Sequence, residues 1–307
     1  MILWAIGGLV LVIAIGGLAL QYAISSNGPA VLTAVDRLMD GSGDARIEAT
    51  VSVGEHPKQK VIVWGSETRD PAADPLPVLL FVHGGSWNWG DPDSYGFIGR
   101  SFVPKGFIVV LAGYRLHPDA VYPAMLEDTA RAIAWTREEI SQYGGDPDRI
   151  TIAGHSAGAY NVVQVALERQ WLGRHGMAAD DLAGVIGLSG PYDFYPFDSD
   201  STVASFGQAE NPEATQPINY VRADAPPLLL LHGEADDLVK VRNTNELTRR
   251  VEAIGGTVTK RLYPAMDHNA PLISLAAPWR NSRDVDDIIA EFARSAAVSV
   301  PVQDETR

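Results

Sequence analysis

A five-residue turn, Gly154-His155-Ser156-Ala157-Gly158, separates the apolar run Arg149-Ile150-Thr151-Ile152-Ala153 from the helix-forming stretch Ala159 to Arg169. Strand, glycine-bracketed serine and helix in immediate succession describe a nucleophile elbow. The glycines let a strand pass sharply into a helix without a Cβ clash, holding the serine in a strained turn at the sheet edge. Its hydroxyl then stands clear of the backbone, and N–H groups at the helix start point toward any developing oxyanion. In a chain with 29 glycines the pattern alone is weak. Its bland alternative is a solvated serine in a turn, so the serine's partners decide.

A serine hydroxyl needs a base, and the base needs an orienting acid. Pro227-Leu228-Leu229-Leu230-Leu231 reads as a buried strand, and the turn beyond it carries Glu234, Asp236 and Asp237. Asp236 is favoured, because Val239 three residues later re-enters the core and fixes the loop. Asp237 is the runner-up, and its alternative role is to cap the helix expected near Arg242 to Ile254. Thr257 to Tyr263 alternates as a strand does and leads into Pro264-Ala265-Met266-Asp267-His268-Asn269, whose only imidazole is His268. Of the remaining histidines, His83 and His232 close apolar strands and are expected to bond adjoining loops. His155 is the free position of the elbow, while His56, His117 and His175 read as solvated.

Pro77 to Val82 is a dense apolar strand that ends in His83-Gly84-Gly85-Ser86-Trp87-Asn88-Trp89-Gly90. Successive glycines after a strand let the backbone approach a substrate closely, with N–H groups turned inward. An oxyanion hole is expected from this Gly84-Gly85-Ser86 turn, with donors on Gly85, Ser86 and Ala157. Trp87, Trp89, Tyr160, Tyr192 and Phe194 are the expected pocket walls, the last two within an irregular stretch from Gly190 to Pro226 placed between two strands.

The chain resembles the α/β-hydrolase superfamily of the esterase/lipase type, near its hormone-sensitive-lipase-like and carboxylesterase branch. The resemblance rests on His83-Gly84-Gly85, Tyr114-Arg115-Leu116, Tyr122-Pro123-Ala124 with Glu127-Asp128, Gly144-Gly145-Asp146-Pro147, the elbow, His232-Gly233 with Asp236, and His268. It runs from about Val61 to about Arg294. The order Ser156, Asp236, His268 is that of the superfamily and differs from the chymotrypsin and subtilisin orders. The resemblance implies ester hydrolysis through an acyl-enzyme, a small-molecule ester as the partner, and no cofactor. The loop departs from many relatives in reading His-Gly-Gly-Ser-Trp without a third glycine. That form is more like kynurenine formamidases and small bacterial esterases, which keeps formamide substrates as an alternative. A non-catalytic receptor is a remoter one.

Strand and helix runs alternate along 307 residues, 46% of them apolar. That pattern predicts one α/β core: a mostly parallel doubly wound sheet, helices on both faces, and a small cap over about 190–226. Arg46 to Val53 and Lys60 to Trp64 are expected to form an antiparallel edge. A helix is expected from Pro123 to about Tyr143, stopped by Gly144-Gly145. A net charge of −14 without a basic stripe excludes a nucleic-acid partner. With no cysteine there is neither a disulfide nor a thiolate metal site, and no histidine or carboxylate cluster suggests a metal. Asp36, Asp40 and Asp44 read as solvated helix-face and turn acids.

Ile2 to Leu20 contains no charged residue, and apolar character continues to Ile24. As a helix this spans roughly 28–34 Å, enough for a bilayer core. Without a basic start or a good cleavage site, a retained transmembrane anchor over 1–26 is preferred to a cleaved secretory signal. The expected organisation is this anchor, a linker over 27–45, a catalytic domain over 46–298 and a tail over 299–307.

Overall fold

Runs apolar on both faces become the inner strands of one sheet, because helices cover both sides of it. The structure is a computed structural model that describes residues 22–23, 26–39 and 43–298. After a helix over 26–39 (α1), the chain forms β1 (Ala45–Ser52), β2 (Lys60–Ser66) and β3 (Leu76–Val82). It then alternates: α2 (Gly96–Phe102), β4 (Ile108–Ala112), α3 (Ala124–Glu139), β5 (Gly145–His155), α4 (Ala157–Leu167). A short α5 (Gln170–Gly173) precedes β6 (Gly184–Leu188) and α6 (Asp200–Phe206). The last elements are β7 (Leu228–Gly233), α7 (Arg242–Ala253), β8 (Val258–Tyr263), α8 (Ala270–Ile273) and α9 (Val285–Val298).

The eight strands lie in the order β1-β2-β4-β3-β5-β6-β7-β8. β1 and β2 run antiparallel, as expected of the edge, and all pairs from β4 onward are parallel. Strand alternation splits the core into two layers. Ile108 and Val110 pack with Leu126, Ile133, Val162 and Leu247 from α3, α4 and α7. Val109 and Leu111 face the other way, toward Leu32, Phe97, Phe102 and Ile289 from α1, α2 and α9. Burying one such side chain fully stabilises by about 1.5–3 kcal/mol relative to leaving it exposed. The expected long helix is α3, continued by a 3-10 turn to Tyr143 and ended at Gly144, whose φ is 79°.

β3 sits between β4 and β5, so the connections leaving β3 and β5 turn to opposite sides. Such a switch point opens a crevice at the carboxyl ends of the strands, where loops of both can meet a ligand. The 190–226 insertion lies over this edge and contains α6 and two 3-10 turns.

Two expectations fail at the amino-terminal side. The stretch taken as a linker is helical over 26–39, and Asp36, taken as solvated, is fully buried. Its Oδ2 accepts from Arg100 Nε at 2.6 Å, and its Oδ1 accepts from Arg280 Nη2 at 2.6 Å and Ala277 N at 2.8 Å. A lone buried carboxylate would be prohibitive, but two guanidiniums and an amide satisfy this one. Asp44 is likewise engaged, accepting from the hydroxyls of Ser66 and Thr68. Asp40, residues 1–21 of the expected anchor and the 299–307 tail lie outside the described residues. Among the described residues no helix is long and apolar enough to cross a membrane.

Candidate active site

β5 delivers Ser156 to the sheet edge with φ 54° and ψ −120°, a backbone region that non-glycine residues rarely occupy. The flanking glycines are required by contact. A Cβ on Gly154 would stand 2.4 Å from the Gly158 backbone, and one on Gly158 would stand 2.1 Å from Val82 O on β3. Strand, turn and helix therefore pack closer than any side chain permits, and that closeness holds the serine in its strained conformation.

The loops after β7 and β8 bring the other two groups to this point. His268 Nδ1 donates to Asp236 Oδ2 at 2.8 Å, and because a carboxylate only accepts, the proton is on Nδ1. The bare Nε2 lies 2.9 Å from Ser156 Oγ and accepts the hydroxyl proton. All three side chains are buried. Asp236 Oδ1 accepts from the backbone N–H of Leu238 at 3.0 Å and of Val239 at 2.8 Å. Burial opposes the charge on Asp236, yet hydrogen bonds from His232, His268 and Val239 hold its carboxyl well below the ordinary carboxylate range. Asp237 points to solvent and pairs with Lys240 at 2.8 Å, and Glu234 is exposed. Of the three carboxylates in this turn, only Asp236 reaches His268.

The 83–90 turn lies across from Ser156. Gly85 has φ 125°, and a Cβ there would fall 2.0 Å from Trp89 O. Ser86 and Trp87 also have positive φ, 51° and 59°. Among the described residues, no intramolecular acceptor takes the N–H of Gly85, Ser86 or Ala157. The three donors thus remain without an acceptor, and two of them belong to Ser86 and Ala157, which line the cavity at Ser156. Gly84 packs against His155, with room for no Cβ (2.9 Å to His155 O).

A cavity of about 270 Å³ opens at Ser156 and Ala157, lined on one side by Trp87, Phe194, Tyr195 and Pro196, and on the other by Leu238, Val239, Lys240 and Arg242. Trp87 and Phe194 therefore line it as expected, whereas three other expected wall residues do not. Trp89 is 47% exposed, on the outside of the turn that folds over Gly85. Tyr160 and Tyr192 are fully buried beneath the pocket. The Tyr160 ring meets the Trp87 ring edge-on at 5.4 Å and so supports the wall from behind. The Trp87 indole Nε1 donates to Asn161 Oδ1 at 3.2 Å.

Three histidines have work that their sequence positions only hinted at. His155, the free position of the elbow, is buried and its Nε2 donates to the backbone carbonyl of His268 at 2.9 Å, pinning the loop of the base. Burial pushes its pKa down to about 3, so the ring is neutral. His83 is also buried, donates from Nδ1 to Gly84 O at 2.8 Å and stacks on Tyr114 at 4.5 Å; burial lowers it to about 4. His232 contacts Asp236 itself. Arg115 and Asp128, two of the motif residues, form a bidentate pair that ties the loop after β4 to α3. No cluster among the described residues could hold a metal ion.

This sheet, its elbow at the switch point and its cap define an α/β-hydrolase fold. A family model places it more narrowly: the BD-FAE model matches residues 68–251, and the chain belongs to that family. It is 34% identical to esterase LipQ of Mycobacterium tuberculosis, over 70% of this chain and 54% of that protein. It is 27% identical to esterase LipC of the same organism, over 80% of this chain and 66% of that one. The chain thus spans about half to two thirds of these relatives' length. Esterase B of Lactobacillus rhamnosis, solved with a tributyrin phosphonate inhibitor, superposes with a TM-score of 0.76 at 19% identity, covering 92% of this chain and 95% of that one.

Proposed function

We propose that this chain is a serine hydrolase that cleaves carboxylic esters through an acyl-enzyme. The observation that carries the proposal is the continuous line from Ser156 Oγ through His268 to Asp236, with contacts of 2.9 and 2.8 Å. Ser156 Oγ attacks the ester carbonyl carbon while His268 Nε2 takes its proton, and Asp236 stabilises the imidazolium and its orientation. The carbonyl oxygen, now an anion, receives N–H donors from Gly85, Ser86 and Ala157. Collapse expels the alcohol, which leaves with the proton from His268 Nε2. Water then attacks the acyl-serine by the same route, returning the acid and the free hydroxyl. The names of LipQ and LipC, both esterases, support this chemistry.

The test is turnover of p-nitrophenyl acetate and butyrate together with labelling by a fluorophosphonate. Both are expected in the wild type and neither in Ser156→Ala; labelling that survives in Ser156→Ala would overturn the nucleophile. The His83-Gly84-Gly85-Ser86-Trp87 turn supports a second reading, an aryl-formamidase, which predicts faster turnover of N-formylkynurenine than of the short esters. The uncharged stretch Ile2 to Leu20 supports attachment to a membrane. That attachment predicts retention of the full chain in the membrane fraction after a carbonate wash; a shortened, released product would mean a cleaved signal instead.

A further inference from the structure

We infer that His232, outside the triad, is a positioning residue that fixes the Asp236 carboxylate and, through it, the ring of His268; the inference rests on the triad chemistry proposed above. His232 is the penultimate residue of β7 and is fully buried. Its Nε2 lies 2.8 Å from Val239 O and 3.1 Å from Asp236 Oδ2. A carbonyl and a carboxylate can only accept, so Nε2 carries the hydrogen and shares it between them. Nδ1 faces Thr244 Oγ1 at 2.8 Å, and in the neutral ring it accepts that hydroxyl's proton. One imidazole thus bridges the end of β7, the turn carrying the acid and the first turn of α7.

The bridge matters because of how Asp236 is held. The N–H groups of Leu238 and Val239 grip Oδ1. Oδ2 has two donors, His268 Nδ1 and His232 Nε2. His268 gains and loses a proton during turnover, and a carboxylate's terminal torsion is soft. Without His232, the carboxylate can pivot about Oδ1 and carry Oδ2 away from His268. A misplacement of about 1 Å at such a site costs on the order of 100-fold in rate.

The experiment uses two substitutions that divide the ring. The amide nitrogen of His232→Gln reaches the place of Nε2, while that of His232→Asn reaches only the place of Nδ1. Hydrolysis of p-nitrophenyl butyrate is measured with full kcat and KM separation, alongside thermal melting. The expected result is kcat lowered about 100-fold in His232→Asn with KM changed by less than about threefold, and kcat restored to within about fivefold in His232→Gln. Equal kcat in the two variants, or a loss confined to KM, would overturn the assignment. Should His232→Asn not fold, Thr244→Val removes the anchoring hydroxyl at constant shape. It is expected to lower kcat about tenfold, and an unchanged kcat there would also overturn the assignment. An inactive wild type would instead remove the triad chemistry itself, so the two failures are distinguishable.

Discussion

Taking this protein from about pH 7.5 to about pH 5 should cost its fold about 4 kcal/mol through two imidazoles that stay unprotonated while it is folded. His83 and His155 are buried, and burial lowers them to about 4 and about 3 from an ordinary 6.5. In the unfolded chain both rings bind protons as the pH falls through 6.5, whereas in the folded chain neither does until about pH 4. The unfolded state therefore binds more protons in that window, and stability falls with pH. At about pH 5 each ring contributes a loss of about 2 kcal/mol, from about 1.4 kcal/mol per pH unit. Against a typical total of about 5–15 kcal/mol, the pair is a large fraction. The depressed carboxyls of Asp236 and Asp91 act in the same sense but only lower, from about pH 4 downward, as the unfolded carboxylates protonate first. Urea unfolding followed by tryptophan fluorescence at the two pH values measures the difference. In His155→Gln the loss should shrink to about 2 kcal/mol. A wild-type difference below about 1 kcal/mol, or one that His155→Gln leaves intact, would refute the assignment of these rings.

Three further outcomes are expected. Asp236→Asn should lower kcat by about 10⁴-fold, while Asp237→Asn, whose carboxylate stands in solvent, leaves ester turnover within about twofold; the reverse pattern in steady-state assays would exchange their roles. Gly85→Ala should cost about 100- to 1000-fold in kcat, because its Cβ would meet Trp89 O at 2.0 Å and force the donor turn to move; wild-type kcat would show that the turn does not hold the oxyanion. Asp36→Ala should destabilise by about 3 kcal/mol, the low end for breaking a buried ion pair, since Arg100 and Arg280 keep some contact with water. A denaturation midpoint that does not move would refute the clamp.

What was legible in the sequence followed from local pattern. The dense run Pro77 to Val82 and the alternating Thr257 to Tyr263 became β3 and β8, and the elbow's glycines marked a contact that only glycine permits. Chain order placed Ser156, Asp236 and His268 on the loops after β5, β7 and β8 at one edge, where they meet. The missed features depend on partners far along the chain. Asp36 looked solvated because its partners lie 64 and 244 residues away. His155 looked free because its acceptor is 113 residues away. Trp89 looked like a wall because residue type does not reveal which side of a turn faces the cavity, and here Gly85 turns it outward.

The clamp on Asp36 also fixes how residues 26–39 lie against α2. Asn27 donates to Ser94, Thr33 bonds beside Phe97, and Asp36 meets Arg100, so α1 runs alongside α2 in the same direction. α2 starts at the carboxyl rim of the sheet and descends, which puts Asn27 at the rim where the cavity beside Ser156 opens. Folded, residues 26–39 cover ~20 Å; unclamped, the same residues can pay out to roughly 45–50 Å. One buried carboxylate thus decides whether residues 26–39 hold a compact or an extended span.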